Sequence, residues 1–365
     1  CAPAQKPLTD YVNPMLGTAT LWDSVDLGFK PTKRTWGAEV FPGSSLPNAM
    51  VQVSPVTKFH SGAGYQYEDS VIYGFTHTNK GHWNLCHIPL LPVTGTPTPG
   101  DYCSPFSHER ESAAPGYYQV FLDRYGVDAQ LSSTLRCAFH KYTYPAGAAA
   151  SLLADLQRSN EHVRAWDIRK EGDNVFAGWQ QTGEKMYFYA VANRPVTGIE
   201  PVVEGDREVR IVRFGEGDGA LELRIGFSFV SEKNARENLE AEMLGKSFAE
   251  VRSEATATWN DLLGRIRVEG GTEREKGLFY SSLYRSFLWP ALRSDVNGEF
   301  TDVDGKVINP GFRYYTGPSY WDDYRNKLIL LGMLAPDVAA DVISSDTDKG
   351  EKRGGFMPTF FHGDH

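Results

Sequence analysis

The sequence predicts a β-sandwich, then a helical linker, then the start of an all-α domain, and three observations carry that reading. Short runs rich in β-branched and aromatic residues recur from Tyr11 to about Val230. Gly/Asp/Asn turn signals separate them, as in antiparallel sandwiches. After Val230 the apolar period changes from two to that of a helix.

Taken in order, Met50–Val53 alternates weakly, and stronger strands are expected at Tyr118–Leu122, Met186–Val191, Val209–Val212 and Leu221–Ile225. Glu171–Asn174 and Glu216–Gly219 read as the turns between such strands. Phe248, Val251, Ala255, Trp259 and Leu262 then form an apolar stripe on one long helix. Thr272 and Glu275 have the spacing of a capping box, which opens a helix through Phe279, Leu283 and Phe287. Pro290 closes it, because proline has no amide to donate and its ring clashes with the preceding turn. A third helix is expected after Trp321, carrying Leu328, Leu330, Leu331 and Met333. These helices must bury a face against neighbours absent from the sequence, so His365 reads as a truncation point. The alternative is a small helical appendage on the sandwich. The divisions are a leader over 1–10, a sandwich over 11–230, a linker over 231–270 and the helical start over 271–365.

The 365 residues are 41% hydrophobic and carry a formal net charge of -9, so a folded core is expected and nucleic acid is excluded as a partner. No apolar run reaches the roughly 20 residues that span a bilayer. Cys1 and the small residues after it read as the start of a bacterial lipoprotein, with a lipid on Cys1 as the tether. The other reading is a boundary that happens to fall on a cysteine. An exported compartment would permit one disulfide among Cys86, Cys103 and Cys137, and their spacing argues against structural zinc.

Three stretches could carry chemistry. Phe75–Pro92 concentrates His77, His82, Trp83, Asn84, Cys86 and His87. An indole face covers the C–H face of a pyranose while amides and imidazoles bond its hydroxyls, so the stretch suits sugar recognition. It also reads as a half-buried hairpin. A metal site from His77, His82 and His87 is disfavoured by five-residue steps, and a Cys86–His87 nucleophilic pair by the opposite facing of strand neighbours. The second stretch, Tyr320–Arg325, places Trp321, Asp322 and Asp323 at a loop-to-helix junction. There the carboxylates either favour the helix dipole or grip sugar hydroxyls. The third, Trp36–Pro47, is a constrained loop anchored by Phe41. Glycoside hydrolysis needs two carboxyl groups about the scissile bond, and no such pair is forced by these residues.

Together, Tyr11–Thr18, Phe41–Ser44, Met50–Pro55, Gly64–Tyr67, Gly74–Thr78, Ser319–Arg325 and Gly355–Pro358 resemble glycoside hydrolase family 92 in order and over nearly the whole chain. The resemblance implies a β-sandwich followed by an (α/α)6 barrel, with the site in the cleft between them. It implies an exo-acting, inverting, calcium-dependent α-mannosidase acting on mannose-containing glycans, as in N-glycan degradation. By resemblance Asp322 holds the terminal mannose, Cys86 lines the same pocket and Trp83 walls it. Trp321, Asp323, Phe41 and His82 are the further candidates for substrate binding. The general acid, the base and most calcium ligands are expected beyond His365, so no metal ligand is assigned here and this chain alone is expected to be inactive. Asn79–Cys86 departs from the family's Ser-Gly-x-Gly-Cys run, so no linkage is carried over. The expected location is the periplasm or the outer-membrane surface. The alternatives are a surface lipoprotein that binds glycans without turnover, and an α-glucoside hydrolase or phosphorylase of similar architecture.

Overall fold

The structure is a computed structural model that describes residues 6–20, 28–29, 38–79, 85–317 and 320–356, with the side chain of Trp321 outside that set. Its first strands are β1 (Ser44–Ser45), β2 (Gln52–Val56), β3 (Val71–Ile72), β4 (Gly74–Thr76), β5 (Leu90–Val93) and β6 (Ser104–Pro105). Next come β7 (Glu111–Ala114), β8 (Tyr117–Leu122), β9 (Val127–Ser133), β10 (Cys137–Thr143), β11 (Ser151–Ala154) and β12 (Ala165–Gly172). The sheets close with β13 (Val175–Gln181), β14 (Lys185–Ala192), β15 (Val196–Glu204), β16 (Arg207–Phe214) and β17 (Leu221–Ser228). One sheet runs β1-β2-β4-β5-β11-β16-β15, and the other β12-β13-β14-β17-β10-β9-β8-β7.

The facing sides of the two sheets share one apolar core. β14 shows the cause: Met186, Phe188, Ala190 and Ala192 are buried while Lys185, Tyr187, Tyr189 and Val191 are half-buried, the period of two of a strand with one wet face. β5 and β11 are buried throughout, which matches the apolar runs Leu90–Val93 and Leu152–Ala154. The weak strand expected at Met50–Val53 starts later, at Gln52, because the Met50 and Val51 amides both donate to the Leu135 carbonyl instead.

Helices follow: α1 (Glu232–Glu242), α2 (Phe248–Leu263), α3 (Glu273–Ser286), the single turn α4 (Tyr320–Asp323), α5 (Lys327–Leu334) and α6 (Pro336–Lys352). Between α3 and α4 lies a hairpin of β18 (Phe300–Thr301) and β19 (Val307–Ile308). Capping boxes start α2 at Ser247/Glu250 and α3 at Thr272/Glu275. The expected stripe on α2 is buried, and Trp259 sends its indole N–H to the Ser45 carbonyl at 2.7 Å. α3 ends at Ser286, one residue before Phe287 and four before Pro290, so the proline follows the helix end without making it.

The end of the expected leader lies in a docked turn, Leu8–Tyr11. Thr9 bonds Asn260 on α2 and Tyr11 stacks on Tyr280 of α3. No disulfide joins Cys86, Cys103 and Cys137 to one another, and the two buried ones, Cys86 and Cys137, lie in separate apolar clusters. No helix among the described residues is long and apolar enough to cross a membrane.

Candidate functional site

Residues 77–79 and 85–88 extend the β4–β5 hairpin irregularly. The Cys86 amide donates to the Thr78 carbonyl, the His87 amide to Thr78 Oγ1, and the His77 amide to the His87 carbonyl. Cys86 and Ile88 flank His87 with φ of 49° and 52°. A branched residue at positive φ is an outlier, and such residues cost about 1–3 kcal/mol each unless the surroundings over-determine them. Here the surroundings do so. The Ile88 amide donates to Gln180 Oε1, and Gln180 donates onward to the Leu156 and Arg158 carbonyls. The Leu85 carbonyl accepts from the Asn160 amide and from Ser159 Oγ.

Two buried imidazoles sit beneath this segment. His77 Nδ1 lies 2.9 Å from the Ile88 carbonyl, so it must donate. Its Nε2 therefore accepts, at 3.0 Å, from Nε2–H of His140, whose Nδ1 accepts from the Tyr142 hydroxyl at 2.6 Å. Both rings are neutral in this chain of bonds. Burial pushes His77 down to about 3 and lowers His140 well below the ordinary value. His87 is also held below its ordinary value by burial, with Glu161 opposing.

Bonds from this edge reach the helical part. Asn79 donates to the Gln52 carbonyl at 2.6 Å, and Gln52 to the Leu288 carbonyl at 2.8 Å. The Trp289 indole donates to the Gly317 carbonyl at 3.2 Å, just before α4. Tyr320 of α4 is tied to Asp346 of α6. Beside this framework, Arg293 pairs with Glu184 at 3.0 Å in a pocket of about 440 Å³ also lined by Lys185, Tyr187, Phe229 and Asp302.

Asp322 is exposed on α4, whereas Asp323 is buried and paired with Lys327 at 3.4 Å. Cys86 is fully buried against Val56, Phe59 and Tyr73. Phe41 is 2% exposed in the sandwich core, and its carbonyl accepts from Arg285. Cys1, His82, Trp83 and the Trp321 side chain lie outside the described residues. The Cys86–His87 pair was discounted as strand neighbours. The segment is not a strand, yet the two side chains still part, the thiol toward Phe59 and the imidazole toward Glu161 and Thr182. Among the described residues no group of three or more His, Cys, Asp or Glu could hold a metal ion.

Sequence reasoning missed Glu161, Gln180, Thr182, Glu184 and Arg293. They come from distant parts of the chain, Gln180 from β13, Thr182 and Glu184 from the β13–β14 turn, Glu161 from the loop before β12 and Arg293 from the stretch after α3, so local spacing carries no sign of them. His140 was findable, as a polar residue on the inward face of β10.

A sheet domain joined to helices, with polar and aromatic groups along their junction, is an architecture of glycoside hydrolases. Residues 11–238 match the glycosyl hydrolase family 92 N-terminal domain and residues 234–365 its catalytic domain. The chain belongs to glycosyl hydrolase family 92. A solved family GH92 α-mannosidase from Bacteroides thetaiotaomicron, in complex with mannoimidazole, is 26% identical with a TM-score of 0.88 over 98% of this chain and 50% of that one. A GH92 inverting mannosidase from the same organism is 25% identical, with a TM-score of 0.85 over 99% and 51%. An uncharacterized secreted glycosidase of Arthroderma benhamiae is 24% identical over 79% of this chain and 42% of its own length. The chain thus spans about half the length of these relatives. A bacterial glucoamylase complexed with acarbose, at 11% identity and a TM-score of 0.51, shares the fold alone.

Proposed function

We propose that the protein is an exo-acting, inverting, calcium-dependent α-mannosidase of mannose-containing glycans, exported and tethered by a lipid on Cys1. The observation that carries this is the match, over 98% of the chain, to an α-mannosidase that binds mannoimidazole. The secreted relative supports export, and the relative titled an inverting mannosidase supports the stereochemistry. In this reading α3 to α6 are the first helices of an (α/α)6 barrel, and the domain divisions are those drawn from the sequence. Asp322 grips the hydroxyls of the terminal mannose, and Cys86 and Trp83 belong to the same pocket. No residue of this chain is assigned as acid or base. Calcium would supply Lewis-acid chemistry from ligands elsewhere.

The test is mannose release by the full-length gene product from α-1,2-, α-1,3-, α-1,4- and α-1,6-mannobiose, followed by NMR with and without a calcium chelator. Chelator-sensitive release of β-mannose is expected. Binding without turnover would indicate a glycan-binding lipoprotein, and release of glucose from α-glucosides would indicate the other enzyme class.

A further inference from the structure

Glu161 lies 74 residues from His87 in sequence, and the fold brings its carboxylate to 3.3 Å from His87 Nε2. Thr182 completes the group. Its hydroxyl is 2.5 Å from Glu161 Oε2 and 3.0 Å from His87 Nε2. A carboxylate only accepts, so the single threonine proton is directed to Glu161. The threonine oxygen can then only accept from the imidazole, and His87 must carry its proton on Nε2. Among the described residues its Nδ1 is left as a buried lone pair with no partner. Without Glu161 the threonine proton is free to turn to Nε2, which would drive the ring to the other tautomer and bury an unpartnered donor instead.

The ring's orientation and the backbone's shape are coupled here. His87 sits between two residues at positive φ, with its amide and carbonyl both bonded to His77–Thr78. A locked imidazole therefore adds to the backbone bonds that hold Cys86 and Ile88 at positive φ. We infer that Glu161 is a positioning residue for the substrate pocket, acting through Thr182 to fix the tautomer of His87 and with it the Cys86–Ile88 turn. This rests on the mannosidase reading above, in which Cys86 lines that pocket.

The test uses the full-length gene product and the mannobiose that the wild type turns over best. Glu161→Ala and Thr182→Val should each raise KM at least about tenfold, with kcat within about threefold and little change in Tm. Glu161→Gln and Thr182→Ser should stay within about threefold of wild type, since each keeps the oxygen that orders the chain of bonds. In protein labelled with 15N-histidine, His87 should show a bare Nδ1 and a protonated Nε2, and Glu161→Ala should mix the tautomers. Unchanged KM in both disruptive variants, or Nδ1–H in the wild type, overturns the inference. Should Glu161→Ala not fold, Thr182→Val carries the kinetic arm. A wild type that turns over no mannoside defeats the mannosidase reading, while the imidazole spectrum still decides the role of Glu161.

Discussion

Cys86 shows what a single residue's setting settles. Its thiol is fully buried and its φ is positive, so its contribution is made from inside the fold. Cys137 is buried too, and burial holds its thiol well above the ordinary value, whereas Cys103 is partly exposed. The reactive form is the thiolate, and it must be reached. Alkylation of the folded protein followed by peptide mapping should therefore mark Cys103 and spare Cys86 and Cys137; marking of either buried thiol would mean that its cluster opens readily. In the Phe75–Pro92 stretch, His77 and His87 are buried among hydrogen-bond partners. What the sequence could not show was the left-handed backbone at Cys86 and Ile88, since neither residue type favours it.

Most elements were legible because their periodicity is local. The stripe on α2 and the Thr272/Glu275 box that opens α3 are both present. α6 was overlooked: its N-terminus is set by Pro336 at the first helical position, and its apolar face is only partly covered. A second element-level feature concerns how α1 docks on β17. A Cβ at Gly226 would fall 2.1 Å from the Ala235 carbonyl oxygen and 2.8 Å from Leu239 Cβ. Gly226→Ala must therefore push α1 off the sheet. It should cost about 1–3 kcal/mol in urea unfolding, in the range of an overpacked core. A neutral result would mean that α1 shifts freely on β17.

Across the molecule, buried polar groups join parts that are far apart in sequence. Asp295, after α3, accepts from Ser228 at the end of β17 and from Asn234 and Asn238 on α1. The His77–His140–Tyr142 chain joins β4 to β10. Burial depresses the folded pKa of both histidines, so their stability is present above the unfolded value of about 6.5 and is lost as pH falls toward the folded values. Between pH 7 and pH 5 His77 should remove about 2 kcal/mol of unfolding free energy, and His140 acts in the same direction. Asp155 and Asp295, raised by desolvation, act in the opposite sense: their contribution is greatest in acid and is lost as pH rises. Imidazole 15N spectra recorded beside urea unfolding separate the two effects, and protonation of either ring in the folded state at pH 5 would contradict the assignment. Such long-range pairs were illegible in the sequence because sheet order, not spacing, creates them. The large apolar side chains of α5 and α6 that remain exposed, Met333 at 72% among them, fit the reading of these helices as part of a larger helical body.

The central claim is that the strand framework and the helical start together hold a terminal mannose through Asp322. It is tested most directly by kcat/KM of the full-length gene product and its Asp322→Ala variant on the preferred mannobiose, with Tm measured alongside. If Asp322 grips the terminal mannose as proposed, the loss is about 10²-fold or more with little change in Tm, since substituting an exposed side chain costs little stability. A loss smaller than about threefold would contradict it.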